Sequence, residues 1–278
     1  MTKVPSNRIL TPKGRVLLAI ALLSYSMACC QPRTIRPSNP SAPGIELALP
    51  AYDASEHILV YEGFTASYNH STLVPNWVAY DLTSEETQGE YTSGSNFSRD
   101  PHLKGRQASR EDYSHSGWDK GHMAPKADLK WSEKAWWESH YFTNICPQDR
   151  KMNGGDWNRL EQLVRRLARQ YGNVYVVCGP IFDSCVHGTI GQAMVQVPDA
   201  FFKALLVPVD GSYQAVAFVM HNDSRRQPPE KVAMTVNELE QMIGRDLFPT
   251  LDDSVEETIE SAYNPAVWGF DRNKIKQQ

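Results

Sequence analysis

No Cys-x-x-Cys pair occurs in this 278-residue chain, and its five cysteines are scattered. The spacing on which structural zinc sites rely is therefore missing. No apolar run comes near the roughly 20 residues of a comfortable bilayer span. Internal repeats and heptads are absent too, which excludes solenoids and coiled coils. The chain also lacks an excess of positive charge. Its formal net charge is −4, so composition offers no bulk attraction to nucleic acid. With 22% charged residues and ordinary apolar content, wholesale disorder is excluded as well, and the length suits one domain with a sizeable core.

The first residues differ from the rest. Lys3, Arg8, Lys13 and Arg15 precede an apolar run from Val16 to Leu23 and then small residues up to Ala28. This is the layout of a signal peptide over residues 1–28, with a short membrane anchor as the alternative. Two processing routes fit. One is ordinary cleavage after Ala28; the other is lipidation of Cys29 in Ser26-Met27-Ala28-Cys29, which resembles a bacterial lipoprotein box without its usual Leu. The expected location is periplasmic, extracellular or lipid-anchored to the bacterial envelope, with the membrane touched only through Cys29. Export removes four basic residues and no acid, taking the net charge from −4 to −8. Much of that acid lies far from the motif below, in Asp252-Asp253 and Glu256-Glu257-Glu260. Export also permits disulfides. Cys178–Cys185 would close a short loop, leaving Cys146 as a buried free thiol.

Residues 29–50, with Pro32, Pro37, Pro40, Pro43 and Pro50, read as an extended Pro/Ser-rich linker. The domain is expected over 51–275. Ile58–Tyr61, Trp77–Tyr80, Val174–Val177, Phe201–Val209 and Tyr213–Met220 have strand character. Tyr68-Asn69-His70 and Pro75-Asn76 read as turns, and Asp210-Gly211 as a tight hairpin. A polar surface loop is expected over 83–117. Thr235 with Glu238 predicts a helix ending at Gly244, and Ser254 with Glu257 another. Trp157, Leu160, Val164, Leu167 and Ala168 form the stripe of a helix over about 153–170. There is no regular βαβ alternation, so the fold class is α+β with a largely antiparallel central sheet flanked by helices.

Asp119-Lys120-Gly121-His122 is the most informative segment, with Asn144, Asn153 and Glu161 downstream. Phosphodiester hydrolysis requires water to lose a proton and the charge on phosphorus and on the leaving oxygen to be offset. A histidine suits the first task, and a divalent ion with a Lys or Arg the second. Three segments occur in order: Asp119-Lys120-Gly121-His122-Met123-Ala124-Pro125, Asn144-Ile145-Cys146-Pro147-Gln148, and Asn153-Gly154-Gly155-Asp156-Trp157-Asn158-Arg159-Leu160-Glu161. Together they resemble the DNA/RNA non-specific endonucleases of the ββα-metal (His-Me finger) class, whose hallmark is Asp-Arg-Gly-His, Asn-x-x-Pro-Gln and Asn-x-Gly-x-Trp-x-x-Leu-Glu.

The resemblance implies a role for each matching residue. His122 would be the general base, Asn153 the direct ligand of Mg²⁺ (with Mn²⁺ as a substitute), and Glu161 a carboxylate reaching the ion through water. Asn144 would order the site around the histidine and the phosphate. Arg165 would contact phosphate or steady Glu161 one helical turn away. Lys120 stands where the family has Arg and keeps the charge without the planar fork. His140, where the family often has Asn, stays outside the catalytic set. DNA and RNA are the implied substrates. Two other classes remain open: a catalytically weak nucleic-acid-binding surface protein, and a metal-dependent phosphodiesterase acting on another substrate. Lys126, Lys130, Lys134, Arg150, Lys151, Arg159, Arg166 and Arg169 offer a local phosphate-tracking surface, or a solvated helix face. Trp131, Trp136 and Trp137 offer base stacking or, for at least two of them, core packing.

Overall fold

The computed structural model describes residues 44–94 and 96–270. The signal region, Cys29 and most of the linker lie outside the described residues.

Three strands open the fold: β1 (His57–Val60), β2 (Thr65–Asn69) and β3 (Val74–Thr83). A long connection with one short helix, α1 (Arg110–Tyr113), leads to β4 (Asp119–His122), α2 (Glu133–Glu138) and β5 (Ile145–Gln148). The short α3 (Arg150–Met152) and the long α4 (Asn158–Tyr171) follow, then β6 (Asn173–Ile181), the small pair β7 (Thr189–Ile190) and β8 (Val195–Gln196), and the hairpin β9 (Ala200–Val209) and β10 (Ser212–His221). The fold closes with α5 (Pro229–Val232), β11 (Ala233–Met234), α6 (Val236–Ile243) and α7 (Asp253–Ser261). Seven strands form one sheet in the order β1-β2-β3-β6-β9-β10-β11, antiparallel at every contact.

Both faces of this sheet are covered. Side chains alternate along a strand, so Val78, Tyr80 and Leu82 of β3 enter one apolar cluster while Trp77 and Ala79 enter another. The first cluster holds the stripe of α4, with Leu160, Leu163, Val164, Leu167 and Ala168 buried. The second holds Val236 and Leu239 of α6 and Ile259 of α7. Burial on two faces explains why the central strands read as continuous apolar runs. The β9–β10 turn is a tight two-residue one, Asp210 and Gly211 both having positive φ (51° and 80°).

Several expectations need correction. Ile45, Ala48 and Leu49 are buried, so packed structure includes residues ahead of the expected 51; the apolar residues between the prolines decide this, not the prolines. Residues 65–69 form β2, and Pro75 and Asn76 lie within β3. A register shift at Ser67/Tyr68 lets the proline into the ladder. The 83–117 connection is not wholly on the surface, because Asp100, Leu103, Gln107, Ala108, Asp112 and Tyr113 are buried. Asp252, not Ser254, caps α7, its side chain accepting from Ser254 N at 3.3 Å. Cys146, Cys178 and Cys185 are all free. Cys178 is buried in β6 while Cys185 is exposed on a loop, so no Cys178–Cys185 bridge forms.

The outer layer carries a group of acids. Burial, reinforced by the charges of Glu240, Glu256 and Asp246, pushes Glu260 up to about 9. Glu256 is likewise raised to about 7 and Glu240 to about 6. Carboxyls with raised folded values favour the fold while protonated. That contribution is full below the ordinary Glu value and is lost as pH climbs towards 9. Glu260→Gln is expected to raise the melting temperature at pH 8 by about 2–6 °C and to flatten its decline between pH 5 and 9. Scanning calorimetry of the two proteins across that range is the check; parallel pH curves would refute it.

Candidate active site

β4 and β5 form a two-stranded hairpin, with Asp119 opposite Gln148, Lys120 opposite Pro147, Gly121 opposite Cys146 and His122 opposite Ile145. Gly121 is required by close approach, since a Cβ there would sit 1.9 Å from Gln148 Oε1. The hairpin and the helix that follows make a ββα unit. Strand alternation sends Lys120 and His122 to the same side, where both line a cleft of about 360 Å³. Asn153, Glu161 and Arg165 line the same cleft from the helix, with Phe97 and Lys126 on its walls. Asn144 is the one expected site residue that does not line it.

The helical wall is not a uniform α-helix. Asp149 caps its start, accepting from Lys151 N and Met152 N. Residues Asn153–Trp157 then widen into a π-type turn, with Gly155 at φ −105° and ψ −106°. Two adjacent glycines lower the cost of that break. Its effect is to place Asn153 beside β4 while α4 continues into the core. The Asn153 Nδ2 donates to Asp119 Oδ2 at 3.2 Å, and Asp119 Oδ1 also receives Arg150 Nε at 3.2 Å. With its NH₂ group committed to Asp119, the Asn153 carbonyl oxygen is left as the free acceptor of that amide.

His122 meets the ring of Phe97 at 5.4 Å and that of His140 at 5.3 Å between centroids. Burial, then His140 and Lys126, push its pKa down to about 3. The imidazole is therefore neutral at physiological pH, the state a proton acceptor needs. Glu161 moves the other way. Burial raises it to about 7, with Lys203 and Arg165 pulling it down and Asp128 pushing it up. Lys120 Nζ lies over the rings of Phe97 (5.5 Å) and Tyr113 (5.8 Å), placing a charge at the mouth of the cleft.

Two expected roles take a different form. Asn144 is fully buried, its amide receiving Ala124 N and donating to Ala124 O and Ser139 O, each at 2.9 Å. It pins the segment after His122 and is turned away from any phosphate in the cleft. Arg165 pairs with Asp128 at 2.5 Å instead of with Glu161. Asp128 is fully buried and also accepts from Tyr80 Oη at 3.1 Å.

Three charged residues of the site carry no expected role. Asp119 was visible as the first residue of its motif, but only the contact with Asn153 gives it work. Asp128 had no signal in a turn-like segment. Lys203 had one, a single charge within the apolar run of β9. It is fully buried, with Nζ 3.5 Å from Met123 O and 4.8 Å from the centroid of the Trp157 ring. Its charge bears on Glu161, Asp128 and Cys178. Of the tryptophans, Trp136 is buried and Trp131 packs partly buried against the core.

Residues 46–254 match the family described as DNA/RNA non-specific endonuclease. The chain belongs to that family. It is 35% identical over 210 residues to a protein of Xenopus laevis named mitochondrial nuclease EXOG, covering 69% of this chain and 58% of that one. It is 30% identical over 204 residues to human mitochondrial endonuclease G, covering 68% and 69% respectively. The chain thus spans less than two thirds of the length of the EXOG relative. Among solved structures, the complex of EndoG with EndoGI aligns with a TM-score of 0.68 at 26% identity, over 76% of this chain and 92% of that one. This agrees with the ββα unit on an antiparallel sheet.

Proposed function

We propose that this chain is a Mg²⁺-dependent endonuclease that hydrolyses DNA and RNA with little regard to sequence or sugar. The observation carrying this reading is the convergence of His122, Asn153 and Glu161 on one cleft of a ββα unit. His122 takes the proton of the attacking water, and water attacks phosphorus directly, with no covalent intermediate on the protein. Lys120 and Arg165 hold the phosphate by charge.

The residues suit Mg²⁺. Beside the His122 imidazole, which serves as the base, the cleft offers two oxygen donors, the amide carbonyl of Asn153 and the carboxylate of Glu161. No group of three His, Cys, Asp or Glu able to hold a metal occurs among the described residues. A sparse pair of oxygen donors fits an ion that keeps most of its waters. Asn153 would hold it directly and Glu161 through water. When bound, the ion supplies positive charge against that developing on phosphorus and the leaving oxygen. Incubating circular DNA and single-stranded RNA with the protein, Mg²⁺ or chelator tests the reading. Cleavage of both that stops with chelator is expected; no cleavage, or cleavage indifferent to chelator, would overturn it.

The acidic total is met locally. Arg165 also lines a neighbouring open groove of about 610 Å³ together with Arg159, Arg166 and Arg169. The span from Arg159 to Arg169 is about 15 Å along the helix, or roughly four base-pair steps of one strand. Among the described residues no carboxylate pairs with Arg166 or Arg169; Arg166 instead donates to Trp268 O at 3.2 Å. We therefore place the backbone of a long substrate along this stripe. Replacing Arg166 and Arg169 together by Gln should reduce the slope of log affinity against log salt by about 1–2, while turnover of a small nitrophenyl phosphodiester stays unchanged. An unaltered slope would remove the stripe from the substrate path.

Export over residues 1–28, followed by either ordinary cleavage after Ala28 or a lipid tether at Cys29, is likewise our proposal, resting on the N-terminal pattern alone.

A further inference from the structure

His140 was left outside the catalytic set, but its surroundings give it a defined chemical state. It is fully buried on the segment after α2. Its Nδ1 lies 2.8 Å from Trp136 O. A carbonyl only accepts, so Nδ1 carries the proton and donates it. Ser139 Oγ is also near Nδ1, at 3.2 Å, but its own hydrogen goes to the same carbonyl at 2.7 Å. Burial holds His140 neutral, its pKa moved below the usual histidine value. Its Nε2 is therefore a bare lone pair. That atom is buried without a hydrogen-bond partner.

The only other histidine nitrogen in this condition, among the described residues, is His122 Nε2. The two rings are neighbours, 5.3 Å apart and nearly perpendicular (86°). Two imidazoles joined by one N–H···N bond have centroids about 5.2 Å apart, roughly 3.0 Å between nitrogens plus about 1.1 Å inside each ring. The centroid spacing matches that of such a pair, while neither Nε2 has a hydrogen-bond partner as the rings stand. Phe97 packs against both rings, at 5.4 Å from His122 and 5.3 Å from His140, and both Nε2 atoms are buried. Two unpartnered buried nitrogens side by side are costly as two lone pairs and favourable as donor and acceptor. Because His140 Nε2 has no proton, the donor is His122.

We propose that His140 is a positioning residue that accepts the Nε2–H of His122, fixing the tautomer in which the Nδ1 lone pair of His122 is open to the cleft. This rests on the reading of His122 as the base, since a base must present a bare nitrogen to water. In the other tautomer Nδ1 would carry a proton, and the ring would face water as a donor. Histidine tautomers are set in this way by the partner of the far nitrogen.

The test uses the full chain labelled with ¹⁵N in its imidazoles, at neutral pH and without substrate. Long-range ¹H–¹⁵N spectra are expected to show His122 as the Nε2–H form and His140 as the Nδ1–H form. A ¹⁵N–¹⁵N coupling across the hydrogen bond should link the two Nε2 atoms. In His140→Phe the coupling is lost, His122 becomes a mixture of tautomers, and kcat falls about 10- to 100-fold with little change in KM. His140→Asn, whose carbonyl can accept the same proton, should restore the Nε2–H form and much of kcat. His122 found as Nδ1–H in the unaltered protein would overturn the proposal, as would a His140→Asn protein no better than His140→Phe. The spectrum of the unaltered protein decides even if His140→Phe does not fold. Failure of the wider reading looks different: the tautomers would stand as described while His122→Ala still cleaved DNA.

Discussion

Replacing His122 with Ala is expected to reduce cleavage of circular DNA by at least about 10²–10⁴-fold, the usual contribution of a positioned general base. The protein should remain folded. His122 ends a strand at the edge of the cleft, so truncating its side chain leaves the β4–β5 ladder intact. Removing its ring leaves the Nε2 of His140 without the donor proposed for it, a modest change beside the loss of the base. Binding of Mg²⁺ should persist, because the oxygens of Asn153 and Glu161 are untouched. Measuring plasmid relaxation and a melting curve on the same preparation separates the outcomes. A folded variant within tenfold of the original rate would remove His122 from the chemistry. The imidazole is also kept neutral down to about pH 3. Loss of activity in mild acid should therefore be traced to other groups.

The second large effect concerns stability. Asp128→Ala is expected to cost about 3–5 kcal/mol, the range for breaking a buried ion pair by removing one partner. Burial raises the Asp128 carboxyl, and Arg165 and Lys203 draw it back. Arg165 retains only 16% side-chain exposure. Without Asp128, that guanidinium and the Tyr80 hydroxyl both lose their acceptor inside the protein. For a domain of this size the melting temperature should drop by roughly 10 °C. A double change, Asp128→Leu with Arg165→Met, should recover much of the loss, since two apolar side chains of similar volume leave no buried charge. A fall of less than 2 °C in the single variant would show that Arg165 finds another partner.

The motif and much of the framework were readable because each depends on neighbours in sequence. The capping box of Thr235 and Glu238, the stop at Gly244 and the turn at Asp210-Gly211 are local chemistry, and all three occur where expected. Lys120 and His122 share a side because alternate residues of a strand do. What stayed hidden are contacts between distant segments. Nothing near Arg165 indicates that Asp128, 37 residues earlier, rather than Glu161 one turn away, receives its charge. The hydrogen bond from Asn153 to Asp119 spans 34 residues and depends on a break in the helix at Gly155. The loop over 83–117 looked polar because its buried residues, such as Asp100 and Gln107, satisfy each other; Asp100 N donates to Gln107 Oε1 at 2.8 Å.

α4 has one stripe in the core and another along the cleft and the arginine groove. Glu161 and Arg165 therefore cannot drift independently of Leu160, Val164 and Leu167, all fully buried. The freedom that a loop-borne site would surrender when it meets its ligand has already been given up here on folding. Binding then costs little ordering on the protein side, and the reacting groups keep their positions whichever base or sugar arrives. An enzyme made this way would gain little by adapting to its substrate and would have small means of telling one from another: the indifference to sequence proposed above would follow from stiffness.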